Sequence, residues 1–323
     1  MTAADHRGQA GTEHGKVAGF VGLGNMGIPM TRRLVGAGYH VRGFDTSAEA
    51  QANFAGLGAQ VPGSATPVTE AGAVGDGADA VILMLPDSDI VERVLLGLLA
   101  ADAGAGNADG GLLTSLAPGT TIIDMSSSDP ARTRLLAEPV GAAAMTLIDA
   151  PVSGGVAGAR AGTLTVMVGG PRASFERFQP MLSVIGKRVV HAGDVGAGHA
   201  VKALNNLMSA AHLLASSEAL IAGRRFGLDP AVMLEIVNGS SGRSGSTENK
   251  WPNYVLTEKY DAGFSIRLMV KDIRLALGIQ HTTGVPSAAS EAVVAAWEAA
   301  LADLPPDADH TAIARWLNDR TGP

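Results

Sequence analysis

Cysteine is absent from this chain of 323 residues, and aromatic side chains make up only 4% of it. Without cysteine the protein has no disulfide, no cysteine-ligated iron–sulfur cluster and no thiolate chemistry. With so few aromatics, we expect a core of Ala, Val, Leu and Ile, which agrees with a hydrophobic content of 46%. The composition is that of a rather apolar globular chain, long enough for two domains.

A basic patch and a long hydrophobic run are missing as well. The chain has 24 basic and 31 acidic residues, a formal charge of −7 with no basic block, so we expect no nucleic-acid partner. No window reaches 18 uninterrupted apolar residues, so we expect no membrane span and no membrane partner. The first 15 residues are polar and lack a hydrophobic signal core, which predicts a disordered extension of a cytoplasmic protein.

Short apolar runs alternate with helical stretches between residues 16 and 194. Near-continuous apolar strands separated by helices are typical of a parallel sheet that is covered on both faces, a doubly wound α/β fold. The runs that predict strands are 17–21, 41–44, 80–85, 121–124, 147–150, 164–168 and 188–190.

The character of the chain changes near residue 196, where strand-like runs end and helical periodicity begins. We therefore predict three parts: a disordered extension (1–15), a nucleotide-binding domain (16–194) and an all-helical domain (195–323) that a long helix joins to the first. A Gly/Ala-rich stretch at 102–111 predicts a mobile loop. The predicted helices of the last part are 197–225, 230–238, 264–282 and 288–302.

The first predicted strand leads into a glycine-rich loop and then a helix with Pro29 in its first turn. Glycines there allow a tight turn and a close approach of the backbone to a pyrophosphate at the helix N-terminus, as in a Rossmann fold. Asp45, at the end of the second strand, would bind ribose hydroxyls and favours NAD over NADP, although Arg33 and Arg42 keep NADP open. A packing turn is the alternative. The loop is Gly22-Leu23-Gly24-Asn25-Met26-Gly27.

Other predicted strand ends carry residues suited to binding, because ligands collect at the carboxyl ends of parallel strands. Leu85-Pro86 ends one strand, and the run Ser126-Ser127-Ser128 ends the next, where a helix cap is an equally good interpretation. Ser153-Gly154-Gly155 closes a third strand, and its successive N–H groups would suit a carboxylate. A glycine turn without a ligand is the alternative.

Lys202, Asn205 and Asn206 share one face of the predicted long helix. Burying a lysine and two amides is costly unless they have partners, so we expect them to line a cleft. Lys202 lies in the first turns of its helix, where the dipole disfavours a cation, and a lysine with a lowered pKa can act as a general acid/base. A lysine that extends from a helix start into solvent is the alternative.

Taken in order, these motifs resemble the β-hydroxyacid dehydrogenase family, which includes 3-hydroxyisobutyrate dehydrogenase, tartronate semialdehyde reductase and threonate dehydrogenase. The resemblance implies an NAD-dependent oxidoreductase that transfers a hydride between nicotinamide and a small 3-hydroxy acid, or its semialdehyde. It also implies a carboxylate-bearing substrate and a homodimer or homotetramer formed through the helical domain. The motifs are GLGNMG, DMSSSDP, DAPVSGG with GTLTVMVGG, KALNN and Lys271-Asp272.

The resemblance also implies roles for single residues. Lys202 is similar to the catalytic lysine, and Asn206 to the amide that holds the substrate, while Asn205 supports either. The residues implied to bind substrate are Ser126, Ser153, Gly154 and Gly155. Besides the glycine loop and Asp45, those implied to contact the cofactor are Leu85, Pro86, Ser127 and Lys271.

Two alternatives to this function remain: an imine reductase on the same scaffold, and a non-catalytic NAD-binding scaffold. Lys202 argues against the first, and Lys202 with its two asparagines argues against the second. We expect no metal, because His199 has no second histidine at metal-ligand spacing and a structural role suits it better. Arg243, in a polar stretch over 238–249, would suit a distal substrate group, although a solvated loop is the better interpretation.

Overall fold

The computed structural model describes residues 16–58, 62–97 and 111–320. The predicted N-terminal extension, and the predicted loop at 102–111 apart from Gly111, lie outside the described residues. Within the described ranges, no helix combines the length and apolar character that crossing a membrane requires.

The first part of the chain alternates strands and helices, as predicted. Its strands are β1 (Val17–Val21), β2 (His40–Phe44), β3 (Ser64–Pro67), β4 (Ala80–Leu83), β5 (Thr121–Asp124), β6 (Thr146–Asp149), β7 (Val152–Ser153), β8 (Thr165–Gly169) and β9 (Arg188–Gly193). Its helices are α1 (Gly27–Gly36), α2 (Ala48–Ala55), α3 (Ser88–Leu96), α4 (Leu112–Ser115), α5 (Pro130–Ala142), α6 (Gly155–Ala161) and α7 (Arg172–Ile185), with short 3-10 turns at Gly56–Gly58 and Ala71–Gly75.

These strands form one sheet in the order β3-β2-β1-β4-β5-β6-β8, with β7 on the β6 side of β8 and β9 on its other side. All pairs from β3 to β6 are parallel, whereas β8 runs antiparallel to β6 and β7. The connection from Gly154 to Leu164 is too short for a crossover over the sheet, so the chain returns antiparallel. The sheet is therefore Rossmann-like and dominated by parallel pairs.

The sequence pattern missed two strands, β3 and β7. β3 has the sequence SATP, without an apolar run, and it lies at the edge of the sheet, where a proline is tolerated. β7 has only two residues. The central strands β4 and β5 are buried along their whole length, which is why their apolar runs predicted them well.

The remainder of the chain is helical. Its helices are α8 (Ala197–Phe226), α9 (Pro230–Asn238), a π-helix (Ser246–Val255), α10 (Ile266–Thr283), α11 (Ala288–Asp303), a 3-10 turn (His310–Ala312) and α12 (Ile313–Arg320). They pack around a core of their own, in which Trp297 is fully buried and its Nε1 donates to the Ala210 carbonyl at 3.3 Å.

The prediction of a polar loop over 238–249 is wrong in its second half, because a π-helix begins at Ser246. Ser244 and Thr247 exchange side-chain hydrogen bonds with each other's backbone N–H groups, which fixes the start of that helix. Leu256 N bonds to the Trp251 carbonyl five residues back, the wider spacing of a π-helix. The polar composition concealed this, because only Ser246, Thr247, Trp251 and Val255 are buried.

The start of α8 is held by a carboxylate from the sheet. Asp149, at the end of β6 and 0% exposed, accepts hydrogen bonds from Gly196 N at 2.7 Å and His199 N at 2.8 Å. His199 is itself buried, and its Nδ1 lies 2.9 Å from Thr133 Oγ1, so it is part of the packing at the start of this helix. The strand end thus fixes the origin of the helix that carries Lys202.

Asp149→Ala should lower the free energy of unfolding by about 2–5 kcal/mol, because it leaves two buried helix N–H groups without an acceptor. Urea denaturation followed by circular dichroism measures this. The matched control is Asp79→Ala, whose carboxylate is 77% exposed and should matter by less than about 0.5 kcal/mol. Equal effects of the two variants would contradict the role given to Asp149.

Candidate active site

The glycine loop has the shape that a dinucleotide requires. Gly22 has φ +99°, and a Cβ there would lie 2.3 Å from the Met84 carbonyl oxygen, so only glycine fits. A Cβ at Gly27 would lie 2.0 Å from the Gly22 oxygen, which lets α1 start directly against the loop. Gly24, in contrast, is exposed and faces open space. The loop is tight where it meets the protein and open where a pyrophosphate would approach.

Asp45 lies beside this loop, at the end of β2. Its Oδ2 accepts from Leu23 N at 2.7 Å and its Oδ1 from Ser47 N at 2.8 Å. The carboxylate therefore joins the glycine loop to the start of α2. A cleft of about 780 Å³ adjoins it, lined by Leu23, Gly24, Asn25, Ile28, Pro29, Arg32, Asp45, Ser47, Glu49, Ala50, Asn53, Val156 and Arg160. These residues fit a dinucleotide that enters along the loop.

The arginines named from the sequence lie elsewhere. Arg42 donates to the Ala73 carbonyl at 2.7 Å and pairs with Asp76 at 2.8 Å, and Arg33 donates to the Val184 carbonyl. The arginine of α1 that lines the cleft is Arg32, which the sequence reasoning missed. The sequence contains a signal for this position, because Arg32 lies one helical turn after Ile28, on the face of α1 that follows the glycine loop.

Helix α10 contacts the segments that follow two neighbouring strands, β4 and β5. Lys271 Nζ donates to the Pro86 carbonyl at 3.1 Å and to the Ser127 carbonyl. Ser126 is fully buried, and its Oγ accepts from Leu85 N at 3.0 Å. The structure thus brings these residues together, and it directs the Ser126 hydroxyl toward the protein backbone.

The small-residue turn after β7 faces the helical part of the chain. Gly154 and Gly155 have φ +132° and +60°, and a Cβ on Gly155 would lie 3.8 Å from the Ala262 carbonyl. Phe264, two residues further, has its ring centroid 6.0 Å from Lys202 Nζ. Gly155 and Lys202 therefore lie near the same short segment, 262–264, of the helical part of the chain.

Lys202 is 9% exposed, and its burial lowers the pKa of its ammonium, while the charge of Asp272 opposes this and the charge of Lys271 adds to it. Asn206, one turn later on the same face, donates from Nδ2 to Asp272 Oδ2 at 2.7 Å. Asn205 donates to Asn206 Oδ1 at 3.3 Å. The three polar residues of α8 thus share one environment, and one N–H of the Asn206 amide has no partner among these bonds.

Asp272 is the residue that sequence reasoning left without a role. Its side chain is 1% exposed and lies 3.2 Å from Lys271 Nζ as well as bonding to Asn206. The signal was its position between the apolar residues Met269, Val270, Ile273 and Ala276 of α10, all buried. An aspartate on a buried helical face needs a partner, and Asn206 and Lys271 supply it.

Arg243 is not part of this constellation. Its side chain is 64% exposed and lies 3.7 Å from the exposed Glu248, as a solvated segment predicts. Across residues 16–58, 62–97 and 111–320, the His, Asp and Glu side chains form no group of three that could hold a metal ion.

Comparisons with known proteins show which family the chain belongs to. Residues 17–193 match the family model of the NAD-binding domain of 6-phosphogluconate dehydrogenase. Residues 196–317 match the model described as the NAD-binding domain of NADP-dependent 3-hydroxyisobutyrate dehydrogenase. The chain belongs to the β-hydroxyacid dehydrogenase family and is an NAD(P)-dependent oxidoreductase whose fold and loop support NAD.

Individual relatives cover most of the chain. 3-Hydroxyisobutyrate dehydrogenase of Pseudomonas aeruginosa is 42% identical over 80% of this chain and 83% of its own length. 2-(Hydroxymethyl)glutarate dehydrogenase of Eubacterium barkeri is 40% identical over 83% of each chain. The structure of Mycobacterium tuberculosis 3-hydroxyisobutyrate dehydrogenase with L-serine is 31% identical, covers 94% of this chain and 99% of that one, and superposes with a TM-score of 0.82.

Asp45→Ala should raise the dissociation constant for NAD by about tenfold, because a charged acceptor for the ribose hydroxyls and for Leu23 N is lost. The preference for NAD over NADP should fall, since no carboxylate then repels the 2′-phosphate. Isothermal titration with both dinucleotides measures this, with Asp79→Ala as the control. Unchanged dissociation constants for NAD and NADP would contradict the role of Asp45 in cofactor binding.

Proposed function

We propose that this protein interconverts a small 3-hydroxy acid, similar to 3-hydroxyisobutyrate, and its semialdehyde, with Lys202 as general acid/base. The observation that carries the proposal is the burial of Lys202, which lowers its pKa, on the α8 face shared with Asn206, whose amide bonds to Asp272 of α10. A lysine in ordinary solvent would be almost entirely protonated at neutral pH and unable to accept a proton.

The glycine loop and Asp45 would hold NAD, which would supply an acceptor for the hydride of the carbinol carbon. Neutral Lys202 would take the hydroxyl proton as the carbonyl forms, and the resulting ammonium would return a proton to the oxygen in the reverse direction. Asp272 opposes the loss of charge and Lys271 favours it, so these two neighbours set how readily Lys202 moves its proton.

Asn206 would hold the reacting oxygen. Its amide donates one N–H to Asp272 and accepts from Asn205, which fixes the amide plane and leaves the second N–H for the substrate oxygen. The Ser153–Gly155 turn would bind the substrate carboxylate through its N–H groups and the Ser153 hydroxyl. Leu85, Pro86, Ser127 and Lys271 would border the nicotinamide half, and Ser126 would support them through Leu85 N.

The names of the relatives support this substrate class. 3-Hydroxyisobutyrate, 2-(hydroxymethyl)glutarate and L-serine share one unit, a primary alcohol on the carbon next to the one that bears a carboxylate. That unit is what a general base beside an anion-binding turn can recognise. Lys202 supports a dehydrogenase over the imine reductase and over the non-catalytic scaffold.

We also propose two domains, 16–194 and 195–323, and a homo-oligomer formed through the second. Exposed apolar side chains cluster at the end of α8 and on α9, where Phe226 is 87% exposed and Leu228, Val232 and Ile236 lie close by in sequence. Contiguous apolar exposure of this kind is typical of a protein–protein contact. A second copy of this chain is the proposed occupant.

Lys202→Met should lower kcat by about 10²–10⁴-fold with 3-hydroxyisobutyrate and NAD, because the proton acceptor is lost while the binding residues remain. Absorbance at the wavelength of NADH measures turnover, and calorimetric titration with NADH checks that the cofactor still binds. The control is Lys187→Met, an exposed lysine whose loss should leave kcat unchanged. Equal activity of Lys202→Met and the unmodified protein would overturn the proposal.

The pH dependence should report the same group. Burial lowers the pKa of Lys202 from its ordinary value of 10.5, and oxidation needs the neutral amine, so kcat/KM for oxidation should rise with pH to a plateau, with a midpoint below that value. Reduction needs the ammonium and should fall over the same range. Lys271→Met removes a neighbouring cation and should move both midpoints to higher pH. A midpoint that Lys271→Met leaves in place would contradict the assignment to Lys202.

A further inference from the structure

The polar face of α8 continues beyond Asn206 to Ser209, where it meets a second lysine. Lys250, from the π-helix, donates from Nζ to Ser209 Oγ at 2.8 Å. Ser209 follows Lys202 by seven residues and lies on the same helical face, about 10 Å further along the axis. An ammonium group therefore lies at the far end of the face that carries the proposed acid/base.

This ammonium has little compensation. In the described part of the chain no carboxylate forms an ion pair with Lys250, and Ser209 takes one of its three donors. The acid that acts on it is Asp309, whose oxygens already accept from the N–H groups of Gly263, Phe264 and Thr311. A partly buried cation without an ion-pair partner of its own is costly, so an anionic ligand would stabilise it.

Three titratable groups act on Lys250 or respond to its charge. Burial is the main cause that lowers the pKa of Lys250 to about 8, while the charge of Asp309 opposes this shift and that of Lys202 adds to it. The charge of Lys250 in turn contributes to lowering the pKa of His310, which is buried beside Asp309. The titratable groups around Lys250 are thus Lys202, Asp309 and His310. The lowered pKa of His310 keeps its ring mostly neutral at pH 7, so Asp309 is the one acid among these three groups.

We propose that Lys250 binds a second anionic group at the distal end of the substrate, so that 3-hydroxy acids with a further carboxylate are preferred. The proposal rests on the proposed function, because it places the reacting hydroxyl between Lys202 and Asn206. Ser209 is one turn beyond Asn206, about 5 Å along the helix, so a carboxylate two or three carbons from the reacting centre would reach the ammonium. The substrate class is a hydroxymethyl dicarboxylate.

The test compares two substrates of the same shape. One is 2-(hydroxymethyl)glutarate, and the other is its analogue in which the distal carboxylate is a neutral carboxamide. At pH 7 the unmodified holoenzyme should prefer the dicarboxylate by at least about tenfold in kcat/KM. Lys250→Met should abolish this preference and change the kcat/KM of the carboxamide by less than about threefold. Lys259→Met removes a lysine that is exposed in the same segment and should leave the preference intact.

The preference should also decline between pH 7 and pH 9, as Lys250 loses its charge. Because Lys202 acts on both substrates, its own titration cancels in the ratio of their kcat/KM values. The groups that could disturb the ratio are Asp309 and His310, and Lys250→Met should make the ratio independent of pH over this range.

If Lys250→Met lowers kcat/KM equally for both substrates, the lysine has a structural role alone and the proposal is overturned. An unmodified enzyme that shows no preference between the two substrates would also overturn it. If neither substrate is turned over, the proposed function fails, and binding decides this inference separately. Calorimetry with the NADH-bound protein should then show pentanedioate binding at least about tenfold more weakly to Lys250→Met than to Lys259→Met. Equal affinities would overturn it.

Discussion

The hydrogen bonds that Asp149 accepts from the start of α8 are the constraint on which the rest of the molecule depends. This buried carboxylate ends a strand of the sheet and accepts from Gly196 N and His199 N, so the first turn of a 30-residue helix is fixed to the sheet. Lys202 follows within the next turn, and Asn206 and Ser209 follow it along the same face. One side chain thus helps to set the positions of all three relative to the sheet.

A second connection closes the other side of the site. Lys271 reaches from α10 to the carbonyl oxygens of Pro86 and Ser127, at the ends of two neighbouring strands. Strand ends of a parallel sheet are where ligands collect, and here a cation from the helical part of the chain is bound among them. The cofactor region and the polar face of α8 are therefore built from both halves of the sequence, and neither half contains the candidate site by itself.

Much of this arrangement could be predicted from the sequence, and the reasons for the failures are physical. Buried strands such as β4 and β5 and the glycine loop can be predicted from the sequence, because burial on both faces and a tight turn restrict which residues are possible. The edge strand β3 and the π-helix lack an apolar pattern, since much of their surface is exposed or polar. Asp272 bonds to Asn206, 66 residues away in sequence, and Arg32 lines a cleft together with the distant Arg160, so only the packing of α10 and α1 reveals what these side chains face. The roles of single residues in binding and proton transfer stay predictions.

Lys271 and Asp272 are consecutive, and this has a consequence for how the chain tolerates change. Successive helical residues point about 100° apart, so one turns to the strand ends while the other turns to Asn206. A single insertion or deletion upstream in α10 would rotate both away at once, and a rigid rotation of the helix could not improve one contact without losing the other. The register of α10 thus positions residues of both the cofactor region and the substrate region. Evolutionary variation in this helix should therefore be confined to substitutions.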